Sequence, residues 1–225
     1  SRNPNDLVLY SKYFLFCKEI IKDSQKYIPE FLEDIIEKNL NCIHFIKTPN
    51  DQLPLFNGAA MHDLTQIQKY LDDFKPNLKN NNLGGLFKIK YKNHFLIMDI
   101  DKPPQKKFSR SYQSGPLSFE YFLDGIKIIT NSGFGSNISK KAELLSRLTA
   151  CQSTLTINET SITKFEKNKI ISKIFGNSIQ DTFKSFDFSS KNENHLLGCS
   201  ASNNGYEKKF GCTHKREIYL DKEDN

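Results

Sequence analysis

Tryptophan is absent from the 225 residues, methionine occurs twice, and no two cysteines form a CxxC pair. The five cysteines, Cys17, Cys42, Cys151, Cys199 and Cys212, are odd in number. Each lies in an apolar or strand-like context, where a free thiol behaves as a small hydrophobe. A disulfide framework and a thiolate zinc site therefore both lack support. Runs of like charge are missing too: 32 Lys and Arg against 26 Asp and Glu give a net +6 that is scattered along the chain. A basic balance favours acidic partners in general. A nucleic-acid binder, however, would cluster its basic residues among aromatics, so no nucleic-acid partner is expected. The longest apolar stretch, Leu7 to Cys17, is broken by Ser11 and Lys12 and is too short to cross a bilayer. No GxGxxG, Walker or HExxH pattern occurs, which removes the common nucleotide and zincin readings. No signal peptide is visible. The chain starts at Ser1 rather than Met and stops at Asp224-Asn225 just after an extended stretch, so both ends are expected to be cuts in a longer protein.

Hydrophobic residues make up 37% and charged residues 26%, with 18 phenylalanines, enough for a globular core. The apolar period changes along the chain. Asn3-Pro4-Asn5-Asp6 is a helix start, with Asn as cap, Pro in the first turn and an acid beside it. The segment Leu7 to Ile21 that follows is apolar on nearly every side and is expected to be buried between neighbours. A second helix is expected over Pro29 to Ile46, with Phe31, Leu32, Ile35, Ile36, Ile43 and Ile46 as its stripe. A third is expected to be capped by Asp63, with Gln66 completing a capping box. His44 is expected to pack in the second helix; His62, His94 and His195 form no constellation.

Beyond the polar Lys79 to Gly85 linker the period becomes two. Phe87, Ile89 and Tyr91 alternate with Lys88, Lys90 and Lys92, as in a half-buried antiparallel strand. Further strands are expected at Phe95 to Ile100, Leu117 to Tyr121, Ile126 to Thr130, Ser153 to Ile157, Ile170 to Phe175, Leu196 to Ala201 and Lys215 to Leu220. Asp124-Gly125 is a hairpin turn, and Lys140 to Leu148 is a helical or irregular insertion. Helices and strands in separate blocks predict an α+β chain, helical over 1–78 and an antiparallel β-sandwich over 79–225.

Four segments carry a family resemblance. Leu53-Pro54-Leu55-Phe56-Asn57-Gly58 looks like an "L-x-x-F-N-G" turn. Tyr112-Gln113-Ser114-Gly115-Pro116-Leu117-Ser118-Phe119-Glu120, continuing to Ile129-Thr130-Asn131-Ser132-Gly133, looks like "H-A-D-x-L-S-F-E-L … I-V-D-x-G". Arg147-Leu148-Thr149-Ala150-Cys151-Gln152-Ser153-Thr154-Leu155 looks like "R-x-T-A-A-H-S-T-L". Asn204-Gly205-Tyr206, Gly211 and His214-Lys215-Arg216 look like "H-D-G-Y … G … H-x-R". In this order and spacing they resemble heparinase II/III-like proteins across nearly the whole chain. The resemblance implies the last helices of an (α/α) toroid joined to the first part of a β-sandwich. It also implies a polysaccharide lyase acting on acidic, uronate-containing glycans by β-elimination. A base takes the proton α to the carboxylate, an acid protonates the leaving oxygen, and the carboxylate charge is neutralised. A periplasmic or cell-envelope location follows from the same resemblance.

The resemblance further implies a metal held by two His and one Asp, but those positions hold Gln113, Asn131 and Gln152, and a family catalytic His corresponds to Ser111. Neutral amides bind zinc weakly, so no metal or other cofactor is expected. The amides can orient a sugar or simply stitch strands together. Arg147 can pair with a substrate carboxylate, or with Glu143 four residues earlier if the segment is helical. Tyr112 is a candidate proton donor and Tyr206 a candidate sugar contact. Asn57 can line the cleft or hold its turn, and His214 with Arg216 faces one side of a strand. A glycan-binding or envelope protein that keeps the fold without the chemistry is the competing expectation.

Overall fold

The computed structural model describes residues 2–60 and 64–223. Helix α1 (Pro4–Asp23) begins as its sequence dictates: the Asn3 side chain accepts from the Asn5 N–H at 2.9 Å, Pro4 opens the helix and Asp6 faces its positive end. Helix α2 (Glu30–Ile46) packs antiparallel on it and buries Leu32, Ile36, Leu40, Ile43 and Ile46. Two expectations change here. Phe31 lies off the buried stripe and is exposed, with Leu40 taking the inward position. Helix α1 is covered on one side only, and Leu9, Tyr13, Phe16 and Ile20 form an open face at helical spacing. A turn of 3-10 helix over Thr65–Ile67 leads into α3 (Gln68–Asp73), which buries Leu71. The expected cap at Asp63, like His62, lies outside the described residues.

The first sheet runs in sequence order, all antiparallel: β1 (Asn82–Leu83), β2 (Leu86–Tyr91), β3 (His94–Asp99), β4 (Phe119–Leu123) and β5 (Ile126–Ile129). The Lys79–Gly85 segment is thus no simple linker; it supplies β1 and a Gly84-Gly85 turn with both φ values positive. Asp124 and Gly125 adopt φ of 52° and 76°, the mirror-image turn that matches strand twist. Between β5 and the second sheet lie α4 (Lys140–Leu145) and α5 (Lys169–Phe175). The latter corrects the strand expected at Ile170 to Phe175. Asn168 caps it by accepting from the N–H groups of Ile170 and Ile171, and a short apolar run does not by itself distinguish helix from strand. The strand expected at Ser153 to Ile157 is irregular instead: the Ser153 N–H donates to Asn131, Thr154 Oγ1 donates to the Pro116 carbonyl, and the Leu155 carbonyl accepts from Tyr206. The second sheet comprises β6 (Ser185–Asn192), β7 (Leu196–Asn203) and β8 (His214–Asp221), with a short helix α6 (Glu207–Phe210) between the last two. Strand β6 was not expected from its polar sequence. It is an exposed edge whose pairing shifts between Phe186 and Ser189.

The layers share their cores. Phe87, Ile89, Leu96 and Met98 of the first sheet pack against Leu197, Cys199 and Ala201 of the second. The opposite face of the first sheet, with Leu86, Phe95, Ile97 and Phe122, packs on α1 and α2. Strand β2 is therefore covered on both faces rather than half-buried. Lys88 is accommodated on the helical side by donating to the Phe45 carbonyl at 2.9 Å, its ammonium 4.5 Å from the Phe45 ring centre. All five cysteines are free. Among the described residues no helix is long and apolar enough to cross a membrane.

Candidate functional site

The loops that leave β3, β5 and α4 converge beside the turn at Asn57-Gly58. Gly58 adopts a φ of +99°, and a side chain there would meet Ser111 at 2.5 Å, so only glycine lets these two segments touch. The Gly58 N–H donates to Gln113 Oε1 at 3.0 Å. From the other end of the same side chain, Gln113 Nε2 donates to the carbonyls of Gly133 at 2.9 Å and Ser146 at 3.1 Å. Gln152 Nε2 donates to that same Ser146 carbonyl at 2.7 Å. Asn131 Oδ1 accepts from the Ser153 N–H at 2.9 Å, and the Asn131 N–H donates to the buried carboxylate of Glu120. Gln113, Asn131 and Gln152, predicted as one group, are thus gathered into one buried network spanning four loops.

Asn57 donates to Asp99 Oδ2 at 3.1 Å, and Asp99 also pairs with Arg2 at 2.5 Å. This acid ties the helical segment to β3. The turn from Gly115 to Ser118 carries Pro116 and then Leu117 at a φ of 56°. Leu117 is fully buried, and its carbonyl accepts from Arg216 Nη1 at 2.6 Å, so surrounding contacts hold a conformation that favours glycine.

The remaining predicted residues are enclosed. Arg147 is 0% exposed; its Nε donates to the Tyr112 carbonyl at 2.8 Å, its Nη2 to the Ser109 carbonyl at 2.9 Å, and its guanidinium stacks 4.1 Å from the Phe165 ring centre. No ion pair to Glu143 forms, though that carboxylate acts on it at longer range. Burial pushes the guanidinium down to about 10, still charged at neutral pH. Tyr112 is 2% exposed, and burial with the nearby Asp99 charge raises its phenol well above the ordinary range. The single Tyr206 O–H is shared between the carbonyls of Leu155 at 3.1 Å and Thr160 at 3.0 Å, bracing the irregular segment between them. His214 is 7% exposed and faces Asn203 inside the sandwich, while Arg216 on the same face reaches the Leu117 and Ser153 carbonyls. These are interior contacts rather than a surface pair. Ser111, half-buried against Gly58, is the member nearest to solvent.

A divalent metal does not fit this network. The Gln113 carbonyl oxygen is taken by Gly58, its amide nitrogen by two carbonyls, and the Asn131 oxygen by Ser153. A cation would have to displace these bonds to gain neutral oxygen ligands. Among the described residues no group of three His, Cys, Asp or Glu is placed to hold a metal ion. Two participants carried no sequence signal or a weak one. Ser146 acts through its backbone carbonyl, which every residue has; Asp99 stands out only as an acid ending an apolar strand.

The heparinase II/III-like C-terminal domain model matches residues 75–225. Among solved structures, a mutant of the heparan sulfate lyase HepC from Pedobacter heparinus aligns with a TM-score of 0.67 at 17% identity, covering 98% of this chain and 36% of its own. A structure titled heparinase III aligns with a TM-score of 0.59 at 14% identity, covering 90% of this chain and 37% of its own. No curated protein matches. The chain therefore spans little more than a third of the solved proteins it resembles, and at these identities the likeness is one of fold.

Proposed function

From the premise that this chain belongs to the heparinase II/III-like family, we propose that it is one wall of a polysaccharide lyase that cleaves acidic, uronate-containing glycans by β-elimination without a metal in the amide network. The observation that carries the metal-free reading is the Ser146 carbonyl, bonded at once by Gln113 and Gln152. In the family pattern a cation would join these loops; here amide hydrogen bonds join them. The (α/α) toroid, of which α1–α3 would be the last helices, supplies the opposite wall and the acid–base residues. Ser111, half-buried at the seam between helices and sheet, is the position best placed to meet substrate, and the buried Asn57 holds the turn beside it. Gln113, Asn131 and Gln152 set the shape of the wall, and Tyr112, Arg147, Tyr206 and His214 support it from beneath. The location that accords with such a substrate is the periplasm or cell envelope.

A second reading is favoured by the enclosure of Tyr112 and Arg147: a non-catalytic glycan-binding or envelope protein that retains the lyase fold. Additional chain can only enclose these two side chains further, so neither reaches a polymer without rearrangement. The two readings separate on ultraviolet absorbance, since β-elimination creates a conjugated C=C bond. The full-length protein, mixed with a panel of uronate polysaccharides and a chelator, is expected to raise the absorbance. Absorbance that stays flat on every polymer while binding is measurable would establish the non-catalytic reading.

A further inference from the structure

A second surface, apart from the amide network, has the chemistry of an anion receptor. A cavity of about 760 Å³ opens between α4 and the loops around residues 160–167 and 177–180. That size is typical of small-ligand sites. Its rim carries the ammonium groups of Lys164, Lys167 and Lys209 against one carboxylate, that of Glu166. Glu166 is already committed, accepting from the Asn168 N–H at 2.8 Å. Lys209 is fixed by donating to the Ser161 carbonyl at 2.7 Å, close enough to Lys164 for the two charges to repel. The adjoining cavity shares Lys164 and Lys209 and adds Lys208, but sets them against two acids, Asp181 and Glu207, and Asp181 attracts Lys209. The excess of positive charge is thus greater in the larger cavity, where three lysines meet one acid.

Two further observations concern its wall. Phe165 and Leu148 give it an apolar face, and behind Phe165 lies the guanidinium of Arg147, fully buried with no carboxylate partner and with Nη1 unbonded. Buried cations are ordinarily paired, whereas this one is offset only by the Glu143 carboxylate at longer range, so the interior beneath this wall is weakly compensated. Thr163, which also lines the cavity, is buried with its hydroxyl unbonded. Repelling lysines, an unpaired cation behind an aromatic ring and spare hydroxyl capacity describe a site that an anion with a flat apolar face would complete.

We propose that this trough is a second saccharide site, which seats the carboxylate or sulfate groups of an acidic glycan on Lys164, Lys167 and Lys209 and a sugar face on Phe165. It rests on the reading that the protein handles acidic glycans, and adds to it a holding site separate from the wall of the cleft. A polymer gripped there would be retained between encounters with the cleft.

The test is calorimetric titration of the protein with a heparin-derived hexasaccharide and, separately, an oligogalacturonate hexamer, at fixed moderate salt. Three variants accompany it: K164Q/K209Q, K164R/K209R, and K191Q/K222Q at the opposite end of β7. The expected result is at least a roughly tenfold loss of affinity in K164Q/K209Q, recovery in the arginine pair, and less than a twofold change in K191Q/K222Q. Circular dichroism confirms that each variant is folded. Equal weakening by both glutamine pairs would mean diffuse attraction and overturn the site. Unchanged binding in K164Q/K209Q would overturn the site while leaving the acidic-glycan reading intact. Failure of the unaltered protein to bind either sugar would end both. A single-stranded oligonucleotide held as tightly through the same lysines would overturn the saccharide assignment.

Discussion

The buried imidazole of His214 makes the fold sensitive to mild acid in a way that can be worked from its contacts. Asn203 Oδ1 accepts from the Gly205 N–H at 3.0 Å, which fixes the amide so that its Nδ2 donates to His214 Nδ1 at 3.1 Å. The ring must therefore be neutral, with Nδ1 bare. Burial, reinforced by the Arg216 charge, pushes its pKa down to about 4. In the unfolded chain the ring charges near the ordinary value of about 6.5. Between those values the unfolded state binds the proton more tightly, so stability falls as pH drops from about 6.5 to 4. The full shift corresponds to about 3 kcal/mol, and partial solvent screening reduces the expected effect to about 2 kcal/mol. Urea unfolding of the unaltered protein and of His214→Gln at a series of pH values measures it. The glutamine oxygen can still accept from Asn203 but cannot titrate. Carboxylates contribute equally to both proteins, so the difference between the two curves isolates the histidine. Curves that stay parallel from pH 7 to 4 would refute the neutral, buried assignment.

The amide network gives four further expectations. Gln113→Ala leaves the Gly58 N–H and the Gly133 carbonyl without these bonds and should cost about 2–4 kcal/mol in chemical denaturation, with Gln113→Glu no better because it sets a carboxylate against two carbonyls. Gly58→Ala meets both a left-handed φ and the Ser111 contact, and should lower stability by more than about 2 kcal/mol in the same assay. The unaltered protein should show no sub-micromolar zinc binding in calorimetry and no change in melting temperature with chelator. The triple variant Gln113→His, Asn131→Asp, Gln152→His should gain zinc affinity; failure to do so would mean that the loops no longer hold the ligand geometry.

Local signals were legible where one physical rule acts alone. The Asn3-Pro4 helix start and the Asp124-Gly125 turn follow from capping and turn preference. The run Ile170-Ile171 with Ile174 was misread as a strand because three branched apolar residues suit either state, and the deciding feature was the Asn168 cap beside it. Strand β6 was missed because its pairing comes from β7 and from no apolar alternation of its own. Lys88 looked like solvent-facing alternation, yet the helices of the same chain cover that face. For the site, motif order singled out Gln113, Asn131 and Gln152, which lie in adjoining hydrogen-bonded loops. What no side-chain pattern could reveal was that Gln113 and Gln152 meet on a backbone carbonyl, that of Ser146, while Asn131 joins through Ser153.

The motif residues divide by the direction in which they bond. Arg147 (through Nε and Nη2), Tyr206 and Arg216 each direct donors to carbonyls of distant loops, those of Ser109 and Tyr112, of Leu155 and Thr160, and of Leu117 and Ser153. Gln113 and Gln152 do the same at Ser146. Such residues fix where irregular segments run, because a buried carbonyl without a donor is costly and the arrangement of donors leaves few alternative paths. That explains how the wall keeps its course when its three proposed metal positions hold amides: the loops were already located by arginine and tyrosine, and the amides complete the remaining cross-links. It also separates shape from chemistry. Side chains that specify the loops are committed inward, whereas Ser111 at the seam is half-buried and Lys164, Lys167 and Lys209 of the trough are exposed, and none of these three lysines is a residue that the motifs match.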